Sequence, residues 1–176
     1  MMKRGDSRGQ VWVETVTYTL VALVLIGLVL SFAKPKIEEL QDKTIIEQSI
    51  QMLKDFDVVM KEVGEGVVGN KRKIDTSIKK GTLRIYPTND TIIFELRGRY
   101  QYSQPGQVYE EGPLMIQTQE LGKYYPINIT LNYSGIYNIT YNSGENQKMI
   151  SQSPTPYEVF IANKGGNTNQ IDIQID

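Results

Sequence analysis

The chain has 176 residues, a formal charge of −1, and neither cysteine nor histidine. The near-neutral balance excludes a generally basic nucleic-acid binder. The two missing residue types exclude disulfides, thiolate nucleophiles, zinc-finger ligand sets and the commonest general base. No cofactor motif of the G-x-x-x-x-G-K-S/T or G-x-G-x-x-G type is present, no cluster of acids resembles a metal loop, and the chain is read as a non-enzyme without cofactor or metal.

Residues 1–9 form a short basic leader, with Lys3, Arg4 and Arg8 against Asp6. Positive charge ahead of an apolar segment holds that end in the cytoplasm, so everything after Phe32 is expected outside. Arg4-Gly5-Asp6 spells an adhesion tripeptide, but it lies within the leader and is not read as a ligand. From Val11 to Ala33 there are 23 residues with one charge, Glu14. As a helix they measure about 34 Å, enough to cross a hydrocarbon core of roughly 30 Å. An ordinary secretory signal is excluded, because its apolar run is shorter and ends in small residues at a cleavage site. Here Lys34-Pro35-Lys36 follows the apolar run, and the processing-like pair Arg8-Gly9 precedes it.

Pro35 is expected to kink or restart the helix, because proline removes one backbone donor and crowds the preceding turn. Beyond it, Ile37, Leu40, Ile46, Ile50, Leu53, Phe56, Met60 and Val63 recur mostly every three or four residues. The pattern predicts an amphipathic helix over 36–63 whose apolar face packs on its own head domain. Glu38, Glu39, Asp42, Lys43, Glu47, Lys54 and Asp55 are assigned to its polar side. Gly64, Gly66 and Gly69 end it. Residues 11–63 then read as one helix of 53 residues, roughly 80 Å long if straight.

From Lys71 the period shifts towards two and turn residues multiply. The expected strands are 74–78, 82–86, 91–96, 99–102, 114–119, 127–133, 137–141, 157–162 and 170–175. Lys79-Lys80-Gly81 is expected to close one hairpin and residues 163–167 another. With no βαβ alternation, the sheet is expected to be antiparallel. Lys71-Arg72-Lys73 is read as a solvated turn or a subunit contact, and Glu110-Glu111 as a solvated turn before Gly112-Pro113. Four N-x-S/T sequons begin at Asn89, Asn128, Asn132 and Asn138, the last three within eleven residues. They point to a glycosylated outer face, and Asn128 and Asn132 share parity along one strand.

Glu14 is the residue whose position asks for a reason. A carboxylate in a spanning helix costs roughly 2.5 kcal/mol or more near the bilayer centre, and less near an end. Cleavage after Gly9 would give Gln10 a free, positive amine one helical turn from Glu14. In a lipid-free bundle of such helices, each carboxylate could meet the amine of a neighbouring chain. Cleavage after Gly5 is the rival, and it would put Gln10 fifth and leave four polar residues ahead of the apolar run.

Arg8-Gly9 followed by Gln10, then Glu14 at the fifth mature position and an unbroken apolar helix, resembles type IV pilins and pilin-like proteins, the archaeal ones especially. Trp12 stands third, where that family often has serine. The resemblance covers residues 8–33 and extends to the long helix by architecture. It implies an α+β, lollipop-shaped subunit: leader 1–9 removed by a prepilin peptidase, filament-core helix 10–33, amphipathic stalk 34–63 and antiparallel β head 64–176. It further implies a homo-oligomeric helical filament, assembled from membrane lipid by an ATPase and a polytopic platform, serving adhesion or motility at the cell surface. No nucleic-acid partner is expected. The second reading is a single-pass surface protein with an uncleaved anchor and a ligand-binding β domain that does not polymerise.

Overall fold

The computed structural model describes residues 7–166 and 169–176. Leader residues 1–6, Arg4-Gly5-Asp6 among them, and Asn167 of the expected hairpin loop lie outside the described residues. The chain divides into two compact units, residues 1–39 and 40–176. The first contains the apolar half of a single helix, α1 (Ser7–Gly64). This helix continues through Pro35, so the expected restart is not observed. Only one backbone donor is lost there, and the helix-forming residues on both sides outweigh it.

Within the second unit, α1 buries Ile46, Ile50, Leu53, Phe56, Met60 and Val63 to 5% exposure or less. Their spacing puts them on one stripe, as the periodicity predicts. Ile37 and Leu40, 52% and 57% exposed, are not covered by it. The stripe packs on a β domain of ten strands among the described residues: β1 (Lys71–Thr76), β2 (Thr82–Tyr86), β3 (Thr91–Gly98), β4 (Val108–Glu111), β5 (Leu114–Thr118), β6 (Tyr125–Asn132), β7 (Asn138–Tyr141), β8 (Lys148–Ser151), β9 (Tyr157–Gly165) and β10 (Gln170–Ile175). They form a four-stranded sheet, β1-β9-β10-β7, and a six-stranded sheet, β4-β5-β6-β3-β2-β8. Alternate residues of both sheets point inward, as in Ile127, Ile129 and Leu131 of β6, and join the helix stripe in one apolar core.

The architecture is thus α+β, a long N-terminal helix followed by a β-rich domain. Three local expectations are corrected. Residues 79–81 do not close a hairpin, because β1 and β2 belong to different sheets. The chain crosses between them by burying Ile78 and tying the Lys80 ammonium to the Asp42 carboxylate on α1. Gly81 is needed on arrival: at φ +96°, any Cβ would stand 2.6 Å from the Glu95 carbonyl oxygen. Second, β7 runs parallel to β10, with Ile139 opposite Ile171, while every other ladder is antiparallel. The connection between them passes through β8 and β9, so it is long enough to return β7's partner in the same direction without a crossover helix. Third, residues 99–102 are not a strand. The Arg99 N–H donates to the Asp42 carboxylate at 2.7 Å instead of to a neighbouring strand, and the chain leaves the sheet after Gly98. The β2–β3 turn at residues 87–90 forms where expected; β9 and β10 pair as a hairpin, but β9 runs on to Gly165, three residues into the expected loop.

The end of α1 is held by side chains from the β9–β10 hairpin. Asn163 donates its amide to the Val63 and Gly66 carbonyls, both at 3.1 Å, and Asn169 donates to the Gly64 carbonyl at 3.0 Å. These donors satisfy carbonyls that a helix C-terminus leaves without partners. Gly64 admits no side chain there, since a Cβ would lie 2.4 Å from the Tyr137 ring.

Candidate functional site

From Val11 to Phe32, α1 exposes fifteen large apolar side chains around its whole circumference, including Trp12 at 70%, Tyr18 at 72% and Phe32 at 84%. Burying one such side chain is worth roughly 1.5–3 kcal/mol, so the stripped surface amounts to on the order of 20–40 kcal/mol. That exceeds the 5–15 kcal/mol by which an ordinary domain is stable. Water is therefore not the medium this surface is built for, and by length and composition the helix can cross a membrane.

The polar residues in the apolar half are arranged for a dry medium. The hydroxyls of Thr15, Thr17 and Thr19 donate to the carbonyls of Val11, Val13 and Thr15 at 2.8–2.9 Å. Ser31 donates to the Leu28 carbonyl at 2.8 Å. A hydroxyl bonded back to its own helix demands nothing from its surroundings. Glu14 is different, because no hydrogen bond or ion pair joins it to another described residue. It lies one turn beyond Gln10 on a backbone that is helical from Ser7, so the Gly9–Gln10 bond falls within the first helical turn. Glu14 and the Gly9–Gln10 bond are therefore together at one end of the apolar surface, with Pro35 just past the other.

Between helix and sheets, three carboxylates fix the second unit to its half of α1. Asp42, 4% exposed, accepts from Lys80 and the Arg99 N–H. Asp57, equally buried, accepts from Lys61 at 2.6 Å and from the Tyr133 hydroxyl at 3.1 Å. Glu111 accepts from Lys54 at 2.7 Å and Tyr102 at 2.6 Å. Burial pushes the Tyr133 phenol well above its ordinary value, with the Asp57 charge and hydrogen bond adding to it. Tyr102 is raised in the same way by burial and by Glu111. The Lys54 and Tyr102 hydrogen bonds hold the Glu111 carboxyl below the usual carboxylate range.

Asp42, expected on the polar side of the helix, is buried instead. The signal was present: positions 42, 46, 49, 53, 57 and 60 advance by threes and fours, so Asp42 and Asp57 lie on the apolar stripe. Glu110-Glu111 is likewise not a turn but the end of β4. Lys71-Arg72-Lys73 begins edge strand β1, with Lys73 paired to Glu158 at 2.6 Å and Lys71 over the Phe160 ring at 4.5 Å. Charge on an edge strand discourages unwanted strand pairing.

The four sequons separate by exposure. Asn89, in the turn before β3, and Asn132, ending β6, are exposed, whereas Asn128 and Asn138 are half-buried. Asn128 and Asn132 do share the outer face of β6, as their parity predicts. Among the described residues no group of three or more acidic side chains could hold a metal ion. Comparison with protein-family models, curated proteins and solved structures finds no match.

Proposed function

We propose that this chain is a structural subunit of a type IV pilus-like surface filament, held in the membrane by α1 until it is assembled. The observation that carries the reading is the all-round apolar helix surface whose one charge, Glu14, lacks a partner among the described residues and stands five places after Gly9. Lipid can cover that surface before assembly, and the same surfaces of neighbouring helices can cover it afterwards. The apolar environment is then exchanged rather than lost, so withdrawal from the bilayer need not expose the helix to water.

Removal of residues 1–9 by a prepilin peptidase gives Gln10 a positive amine. In the filament, the Glu14 carboxylate of one chain meets that amine on the next. A charge pair inside an apolar bundle tolerates only registers in which both partners meet, which makes Glu14 a registration device more than a source of stability. The β domain, with its own core, forms the outer part of the filament and serves adhesion or motility. The partners in this reading are further copies of the chain, the peptidase, and the assembly ATPase with its membrane platform.

The test is the N-terminus of the mature chain. Intact-mass analysis of protein recovered from the cell envelope should give a chain beginning at Gln10. A mature chain beginning at Met1 or Met2 would instead identify a plain anchor carrying a binding domain.

A further inference from the structure

The fold gathers sequons that are far apart in the chain. Thr91, the third residue of the Asn89-Asp90-Thr91 sequon, lies directly opposite Asn132 in the β3–β6 ladder. Asp90 ties this end of the sheet together. Its carbonyl accepts from the Tyr133 N–H at 2.9 Å, and its carboxylate accepts from the Ile139 N–H at 2.7 Å. Asn89, Asn132 and Asn138 therefore surround one residue at one end of the β domain.

Folding leaves these positions in different states. In Asn132-Tyr133-Ser134, both Asn132 and Ser134 are exposed, and the Ser134 N–H donates to Asn132 Oδ1 at 3.0 Å. That bond engages Oδ1 and leaves Nδ2, the nitrogen that is modified, without a hydrogen bond to another described residue. Asn132 also ends β6: β5 reaches only Leu131, so one side of its backbone is unpaired. Asn89 sits in a one-turn 3-10 helix, exposed, with Asp90 in the left-handed conformation at φ 51°. Both asparagines lie outside the sheet interior: Asn89 precedes β3, whose first residue Thr91 completes its sequon opposite Tyr86 and Asn132, and Asn132 is the last residue of β6.

The other two positions are closed. Asn128 pairs with Glu95 on one side and Gln117 on the other, in the interior of the six-stranded sheet. In Asn138-Ile139-Thr140, the Thr140 hydroxyl that the sequon requires is 4% exposed. It donates to buried Asp172 at 3.0 Å and accepts from Gln170 at 3.3 Å. Using either sequon requires β6 or β7 to leave its ladder first.

We infer that Asn89 and Asn132 form a paired N-glycan site on the folded domain, and that folding withdraws Asn128 and Asn138 from modification. The inference rests on the reading that the β domain lies on the exported side. The donor class is a lipid-linked oligosaccharyl diphosphate. The Asn Nδ2 attacks the anomeric carbon, a new C–N bond forms, and the C–O bond to the diphosphate breaks. The lipid diphosphate leaves with the electron pair, and one amide proton passes to a base of the transferase. Glycans on the turn before β3 and on the last residue of β6 would cover the end of the β domain around Asp90 and leave the outer faces of the sheet centres bare.

The experiment gives folded, full-length protein in detergent to an oligosaccharyltransferase that accepts synthetic peptides of all four sequons, with its lipid-linked donor. Site occupancy is read by peptide mass spectrometry and divided by that of the matching peptide. Asn89 and Asn132 should stay within about twofold of their peptides, and Asn128 and Asn138 should fall at least about tenfold below theirs, because closed sites react only through rare local opening. The N89Q/N132Q protein should then gain almost no mass. Modification of Asn128 or Asn138 at its peptide's rate, or an inert Asn132 beside a reactive peptide, overturns the inference. Since the assay supplies the transferase, failure of the export reading does not alter its outcome.

Discussion

Single side chains at the helix–sheet boundary carry stakes that their surface counterparts do not. Asp57 is the clearest, because it is buried and holds both Lys61 and the Tyr133 hydroxyl. Asp57→Ala strands a buried phenol without its acceptor, and unfolding by urea should show a loss of about 2–4 kcal/mol. Adding Tyr133→Phe should restore part of it, since the orphaned hydroxyl goes too; a double-mutant cycle measures the coupling. Glu111 gives a pH signature. Its folded pKa lies below the ordinary 4.5, so its contribution is complete above that value and disappears as pH falls through the folded pKa. Thermal midpoints of the protein and of Glu111→Gln should therefore differ at pH 7 and converge on acidification below roughly pH 4. A gap that persists unchanged in acid would exclude the Lys54–Glu111–Tyr102 arrangement as its source.

At the scale of elements, α1 has one apolar composition put to two uses. Leu53 is fully buried in the second unit, and Leu25 is 56% exposed in the first. Leu53→Ala should cost about 2–5 kcal/mol in the cooperative unfolding of the β domain, and Leu25→Ala should leave that transition unchanged. Much of this division was legible in the sequence. The one-sided spacing from Ile46 to Val63 marks a packed face, and the unbroken run before Pro35 marks a surface meant for another apolar medium. The strand assignments followed wherever alternation was clean, as in β3 and β6. They failed where long-range contacts decide: Lys80 and Arg99 are drawn to Asp42, which turns an apparent hairpin into a sheet crossing and takes residues 99–102 out of the sheet. Nor can local pattern report that β7 lies beside the C-terminal strand, because that parallel neighbour is thirty-two residues away in register, at Ile139 and Ile171. At the N-terminal end, Glu14 and Gly9 stood out by chemistry and spacing alone, and the structure adds the continuous helical backbone that places Glu14 one turn beyond Gln10.

For the whole molecule, the division at Glu39 and Leu40 makes a prediction independent of filaments. A chain starting at Leu40 retains the entire buried core, so it should remain monodisperse without detergent and melt cooperatively; calorimetry and size-exclusion chromatography check both. Aggregation or a non-cooperative melt would mean that the apolar half of α1 is needed for folding and not only for anchoring. The central claim is that the apolar half serves lipid first and neighbouring copies afterwards, with Glu14 setting the register. The most direct measurement is electron microscopy of cells whose only copy carries Glu14→Ala. The account predicts that the protein accumulates in the membrane, with its β domain folded, and that its filaments disappear. Filaments of ordinary number and length, built from the substituted chain, would contradict it.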